Sequence, residues 1–281
     1  MKYIVFCDLD GTLIKRHSYE INFENVEAIN AFTESGNYFI IATGRFIYRV
    51  FPLLNEINQK KQNVNFIISL VGSFIYDAKN DEKIYLKSIE DHNFEQIKKI
   101  ILKNKIPSLV YCNESFSLKK AFAFNLTNKS LFLRLTGNMD VVVANENTTM
   151  TNVLKIIIPF LRQKKGQHIE SLFDAIKDEI KIIRQKNYIE IVQKNVSKGE
   201  AISFLLNYLH IDNKQYQTVG IGDSENDLDM FDKTTRNFIV NKDPNKSRLN
   251  KFNFPIVNNK DFNAVSKILY SLMKEQKKQV F

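Results

Sequence analysis

The chain has 281 residues, 44% of them hydrophobic, a net charge of +9 and two cysteines. That length and apolar content suit one large α/β domain or a core with a smaller companion, while Cys7 and Cys112 exclude a disulfide framework and any Cys-x-x-Cys metal or redox site. No stretch approaches the roughly 18 uncharged apolar residues of a membrane span, the apolar start Tyr3 to Cys7 is too short for a signal-peptide core, and the lysines are scattered rather than clustered.

The expectation is a cytoplasmic, soluble protein, monomer or homodimer, with no nucleic-acid or membrane partner, whose positive field attracts small anionic ligands. Continuous apolar runs at Tyr3 to Cys7, Phe39 to Ala42 and Phe66 to Leu70 predict buried parallel strands. Between the first two, Asn22 caps a helix carrying Phe23, Val26, Ile29 and Phe32 at near-helical spacing, and Gly36 marks its end, so the unit is βαβ. A second helix presents Phe46, Val50, Leu54 and Ile57 on one face. From 81 to 188 the pattern changes. Strand candidates (Lys83 to Leu86, Leu109 to Cys112, Asp140 to Ala144, Lys155 to Ile158, Ile180 to Arg184) mix with helices around Asn93 to Asn104 and His168 to Asp178, as in an inserted α+β domain. Asn80-Asp81 and Gln185-Lys186-Asn187 read as the crossings. The first pattern then returns with a helix over Gly199 to Leu209, a strand over Thr218 to Ile221 and a short helix over Asn226 to Phe231. Strands at Phe238 to Val240 and Phe254 to Val257, a helix over Phe262 to Met273 and a polar tail from Lys274, expected to fray, complete the chain. Residues 1–80 and 189–281 thus read as a Rossmann-like, doubly wound parallel-sheet core, with 81–188 inserted into it.

Four short stretches at strand ends or helix starts carry the chemistry. Asp8 and Asp10 are two residues apart on an extended segment and point to the same side, at the carboxyl edge where an open sheet binds ligands. Two carboxylates so close call for Mg²⁺ or for one protonated member. Thr43 and Gly44 end the second strand at the same edge, where a hydroxyl and an uncrowded amide suit phosphate oxygens. Arg45 is open between a substrate contact and a solvated helix start. Lys198 begins a helix and can place a point charge on a phosphate. Asp223 ends a strand in Gly222-Asp223-Ser224-Glu225-Asn226-Asp227, and Asp227 lies a helical turn later, a hard oxygen set that suits Mg²⁺; ordinary helix capping is the competing reading.

Taken together, Asp8-Leu9-Asp10-Gly11-Thr12, Thr43-Gly44-Arg45, Lys198-Gly199 and Gly222 to Asp227 resemble the motifs of the haloacid dehalogenase (HAD) superfamily. The insertion between the second and third motifs resembles the C2 cap of its Cof-type, subfamily IIB phosphatases. The resemblance implies a Mg²⁺-dependent phosphatase for small phosphorylated metabolites, such as sugar phosphates or phosphorylated cofactors. It assigns Asp8 as nucleophile through an aspartyl phosphate, Asp10 as general acid and base, and Thr43, Gly44, Lys198 and Asn226 to phosphate. Asp8, the Asp10 carbonyl and Asp223 would bind metal, with Asp227 a ligand or a partner of the metal's water. The cap would set specificity, with Lys119, Lys120, Arg134 and Arg162 as generic anion-binding candidates. Two stretches depart from the family pattern: Val71-Gly72-Ser73 stands for Asn-Gly-Ala, and Val240-Asn241-Lys242-Asp243-Pro244 for a Gly-Asn-Ala turn. A phosphomutase using the same aspartyl phosphate and a non-catalytic phospho-ligand binder are the alternative classes.

Overall fold

The computed structural model describes every residue except 17, 60–63, 114–119, 126–139, 213, 244–247 and 279–281. It divides into two compact units, Met1–Tyr85 with Ser197–Phe281, and Leu86–Val196.

The chain opens with β1 (Lys2–Cys7), α1 (Phe23–Glu34), β2 (Tyr38–Ala42), α2 (Phe51–Ile57) and β3 (Phe66–Ser69). The three strands pair in parallel, Phe6 opposite Ile40 and Ile41 opposite Ile67. They are buried on both faces, which is why they read as unbroken apolar runs. The Asn22 side chain accepts the Glu24 N–H and caps α1. After β3 the chain turns through Leu70–Gly72 into antiparallel β4 (Phe74–Asp77), then β5 (Glu82–Leu86). Asn80-Asp81, expected as a crossing, lies in the turn joining β4 to β5, shaped by the Asp77 carboxylate accepting the Lys79 and Asn80 N–H groups. Turn-forming residues mark a connection within a sheet as readily as a domain edge.

The second unit comprises α3 (Asp91–Lys103), β6 (Ser108–Cys112), β7 (Lys120–Phe124), β8 (Asp140–Val143), β9 (Val153–Pro159), α4 (Gln163–Ser171), β10 (Ile180–Arg184) and β11 (Tyr188–Gln193). Its sheet runs β10-β11-β9-β6-β7-β8, antiparallel apart from the β7–β8 pair. Val110, Phe122, Ile156, Ile158, Ile189 and Ile191 pack on one face against Phe94, Ile97 and Ile101 of α3 and Ile169 of α4. By strand alternation Lys155 lies on the other face, and its Nζ meets Glu190 Oε1 at 2.7 Å, both side chains buried. The insertion expected to end at 188 continues to Val196, because β11 pairs with both β9 and β10 and Gln185-Lys186-Asn187 falls in the β10–β11 turn. Ile189 and Ile191, an apolar pair outside every strand expected from the sequence, lie in β11. Lys120 opens β7 and Arg162 is exposed before α4, whereas Lys119 and Arg134 lie outside the described residues.

The chain returns through α5 (Lys198–Tyr208), β12 (Tyr216–Gly222), α6 (Leu228–Phe231), β13 (Arg236–Asn241), β14 (Ile256–Asn258) and α7 (Ala264–Lys278). The first unit's sheet has the order β14-β13-β12-β1-β2-β3-β4-β5, with β12, β13 and β14 parallel to β1. Strand order therefore reverses between β1 and β12, and the crevice beyond their carboxyl ends is the favoured ligand position of such a sheet. Ile4, Phe6, Ile40 and Ala42 pack with Ala201, Ile202, Leu205 and Met230 on one face, and α1 packs along α7. The tail expected to fray from Lys274 is helical to Lys278, since Glu275 bridges Arg236 at 2.6 Å and Gln276 accepts a hydrogen bond from Asn37. Among the described residues no helix is long and apolar enough to cross a membrane.

Candidate active site

Cys7 of β1 lies opposite Ile221 of β12, so the residues that follow the two strands emerge side by side. Asp8 is fixed as it leaves β1 by its N–H donating to Ile221 O at 2.9 Å. The chain then curls, with the Leu13 and Ile14 N–H groups both returning to Leu9 O. Gly11 sits in this curl at φ +94°, where a Cβ would come 2.3 Å from Asp223 Oδ2, so only glycine brings the two motifs this close. Asn259, fully buried, braces the curl from the far end of the chain by donating to Gly11 O and Thr12 O.

Lys198, buried at the start of α5, joins two of the expected residues. Its Nζ lies 2.6 Å from Asp8 Oδ1 and 2.7 Å from Asp227 Oδ1. The helix start is set by Ser197, whose hydroxyl accepts the Glu200 N–H. Asp227 is held from its other oxygen, which accepts the N–H groups of Asp223 and Ser224 at 3.1 Å each. The capping role weighed for this carboxylate is thus present together with its contact to Lys198. Gly222 admits the arrangement, since a Cβ there would stand 2.6 Å from Asp227 Cγ. Asp8, Asp223 and Asp227 each offer a carboxylate oxygen within 4.8 Å of the others.

Burial pushes the Asp8 carboxyl up to about 8, with Asp227 and Asp223 adding to the rise and Lys198 opposing it. For Lys198, burial alone favours the neutral amine, but Asp227 and Asp8 outweigh it and raise its pKa. Burial also raises Asp223, against the pull of Arg16, whose guanidinium meets Asp223 Oδ2 at 2.7 Å. Asp223 Oδ1 is buried with no hydrogen-bond partner among the described residues.

On the other side, Thr43 follows β2 with its N–H donating to Ile68 O, and its buried hydroxyl accepts the Arg45 N–H at 3.1 Å. Arg45 grips Asp10 with both arms, Nε to Oδ2 and Nη2 to Oδ1 at 2.7 Å each. Seven of the eight expected site residues thus belong to one edge of the sheet: Asp8, Asp10, Thr43, Gly44, Lys198, Asp223 and Asp227. Asn226 is exposed on the turn between Asp223 and Asp227 and makes no hydrogen bond into this cluster. Arg16 and Asn259 were not foreseen: Lys15-Arg16 looks like any solvated basic pair, and one asparagine near the chain's end carries no spacing signal.

A family model described as haloacid dehalogenase-like hydrolase matches residues 5–269. The chain belongs to this family. The family and fold class read from the four motifs are therefore the ones found. A "Putative phosphatase" of Buchnera aphidicola is 24% identical, the match covering 96% of this hydrolase and 97% of that protein. The Bacillus subtilis 5-amino-6-(5-phospho-D-ribitylamino)uracil phosphatase is 26% identical over 80% of this chain and 82% of its own. The crystal structure of a haloacid dehalogenase-like hydrolase from Bacteroides thetaiotaomicron superposes with a TM-score of 0.80 at 22% identity, covering 97% of this chain and all of that one.

Proposed function

We propose that this hydrolase is a Mg²⁺-dependent phosphatase that releases phosphate from small phosphorylated metabolites through an aspartyl phosphate on Asp8. The observation that carries the reading is the Lys198 bridge: one buried ammonium holds Asp8 and Asp227 beside Asp223, at the point where the strand order reverses. An isolated buried lysine would be costly, and so would the buried Asp8 and Asp227; assembled with Asp223 and its Arg16 partner, they offset one another and leave carboxylate oxygens gathered in one place.

The residues fit a small hard cation. Three carboxylates converge, and Asp223 Oδ1 is a buried acceptor without a donor among the described residues. Asp8, Asp223 and the Asp10 carbonyl would hold Mg²⁺, with Asp227 behind them. When bound, the ion would neutralise charge on the phosphoryl oxygens.

The Asp8 carboxylate attacks phosphorus, the P–O ester bond breaks, and its electron pair leaves with the alcohol oxygen, which takes a proton from Asp10. Water then attacks phosphorus and gives its proton to Asp10, and the bond to Asp8 breaks with its electron pair returning to the carboxylate. Thr43 and Gly44 hold phosphoryl oxygens, and Lys198 keeps Asp8 oriented and offsets charge in both steps. Asn226, exposed on the turn between Asp223 and Asp227, would meet a phosphoryl oxygen. Selection of the alcohol is assigned to the inserted unit, residues 86–196, and the phosphorylated ribityl compound in the Bacillus relative's name supports sugar-like alcohols as the class. The test is phosphate release from sugar phosphates, nucleotides, pyridoxal phosphate and flavin mononucleotide, with Mg²⁺ and then with EDTA. Release that requires the metal is the expected result, and release indifferent to EDTA contradicts the reading.

A further inference from the structure

We propose that Arg45 is the positioning residue for Asp10, setting its carboxyl against the leaving-group oxygen; the inference rests on the phosphatase reading above. Arg45 is gripped along its whole length. Its carbonyl accepts the Leu70 N–H at 3.0 Å and the Ser69 hydroxyl at 2.8 Å, and its N–H donates to Thr43 Oγ1. The buried guanidinium meets both oxygens of Asp10, and Nη2 also donates to Ser18 O at 2.9 Å. Tyr19 lies over it with the ring centroid 5.3 Å from Cζ, and Arg49 secures that ring, its Nε donating to the Tyr19 hydroxyl at 2.7 Å.

Two features separate this arrangement from an ordinary ion pair. A fork-to-fork contact fixes the plane of a carboxylate as well as its distance, which proton transfer needs and mere charge balance does not; with both oxygens accepting, the pair is Asp10 after its proton has gone to the leaving oxygen, the state that Arg45 stabilises as the transfer completes. In addition, Arg45 Nη1 is buried with no hydrogen-bond partner among the described residues. The guanidinium forgoes two donors to hold Asp10 in this plane, a choice that stability alone does not favour. The Thr43 link also ties Arg45 to the phosphate side, so one residue aligns the proton donor with the group being transferred.

The test compares kcat/KM for an alkyl phosphate and for p-nitrophenyl phosphate, because this ratio reports only the steps up to transfer onto Asp8. The alkyl alcohol must be protonated as it leaves, whereas nitrophenolate leaves unaided. For Arg45→Ala we expect a loss of about a hundredfold with the alkyl ester and less than about tenfold with the aryl ester, since general acid catalysis contributes at least about a hundredfold. Added guanidinium should restore part of the alkyl activity, and Arg45→Lys should remain impaired because a lysine cannot make the planar fork. Tyr19, 41% exposed, gives a second variant that leaves folding intact: Tyr19→Ala should show the same preference for the aryl ester in weaker form. Equal losses with both esters and no guanidinium rescue would reduce Arg45 to a structural role and overturn the inference. If the unaltered protein releases phosphate from neither ester with Mg²⁺, the phosphatase reading itself fails, and this inference with it.

Discussion

Asp8 sits where burial and two carboxylates oppose its ionisation, with its pKa pushed up to about 8 from an ordinary value of 3.8. Without metal, burial therefore favours its acid form, and a bound cation shifts it toward the carboxylate. Calorimetry of Mg²⁺ binding in buffers of different ionisation enthalpy should show close to one proton released per ion below pH 8, with the release fading above it. The sign for stability follows from the same shift. A group whose pKa rises on folding stabilises fully below its unfolded value, so the metal-free protein should lose stability as pH climbs from about 4 to about 8. Lys198, raised above 10.5, contributes equally across that window. A metal-free melting temperature that climbs steadily between these limits would contradict the assignment. Val71 gives a second prediction. It adopts φ +63°, a conformation that strains a β-branched side chain, at the position where the family pattern has asparagine. Val71→Asn should raise stability by about 1 kcal/mol in thermal melts, and a lower melting temperature would show that Val71 packing outweighs the strain.

At the level of elements, α5 matters because its first residue is Lys198. Ser197→Ala removes the cap hydrogen bond to Glu200 and should cost about 1 kcal/mol of stability while lowering phosphate release, since the helix start aims the ammonium. In the second unit, the β9–β11 pair carries the buried Lys155–Glu190 bridge. Lys155→Met alone should destabilise by about 3–5 kcal/mol, whereas Lys155→Met with Glu190→Leu should be near neutral in denaturant unfolding. The strands of the parallel core were legible because a strand buried on both faces is apolar without interruption. Those of the second unit were less so: β7 and β11 went unmarked, and the turns at Asn80-Asp81 and Gln185-Lys186-Asn187 took the place of the unit's true edges. The turn chemistry was read correctly, but its partner strands are a tertiary fact.

For the molecule as a whole, strand order converts four distant stretches into one site. Asp8, Asp10, Thr43, Lys198 and Asp223 could be read because each stands at the end of a strand or the start of a helix, where local sequence is constrained. Arg16 on Asp223, Asn259 on the Gly11 curl and the grip of Arg45 on Asp10 could not be, because each contact spans elements whose separation the sequence does not encode. The claim on which everything else depends is that Asp8 attacks phosphorus. Its most direct test is steady-state phosphate release by the protein and by Asp8→Asn at saturating Mg²⁺, with thermal melts establishing that the variant folds. Loss of a nucleophile should cut turnover by at least about a thousandfold. Turnover by Asp8→Asn within about tenfold of the unaltered protein, a margin too small for a lost nucleophile, would contradict the account.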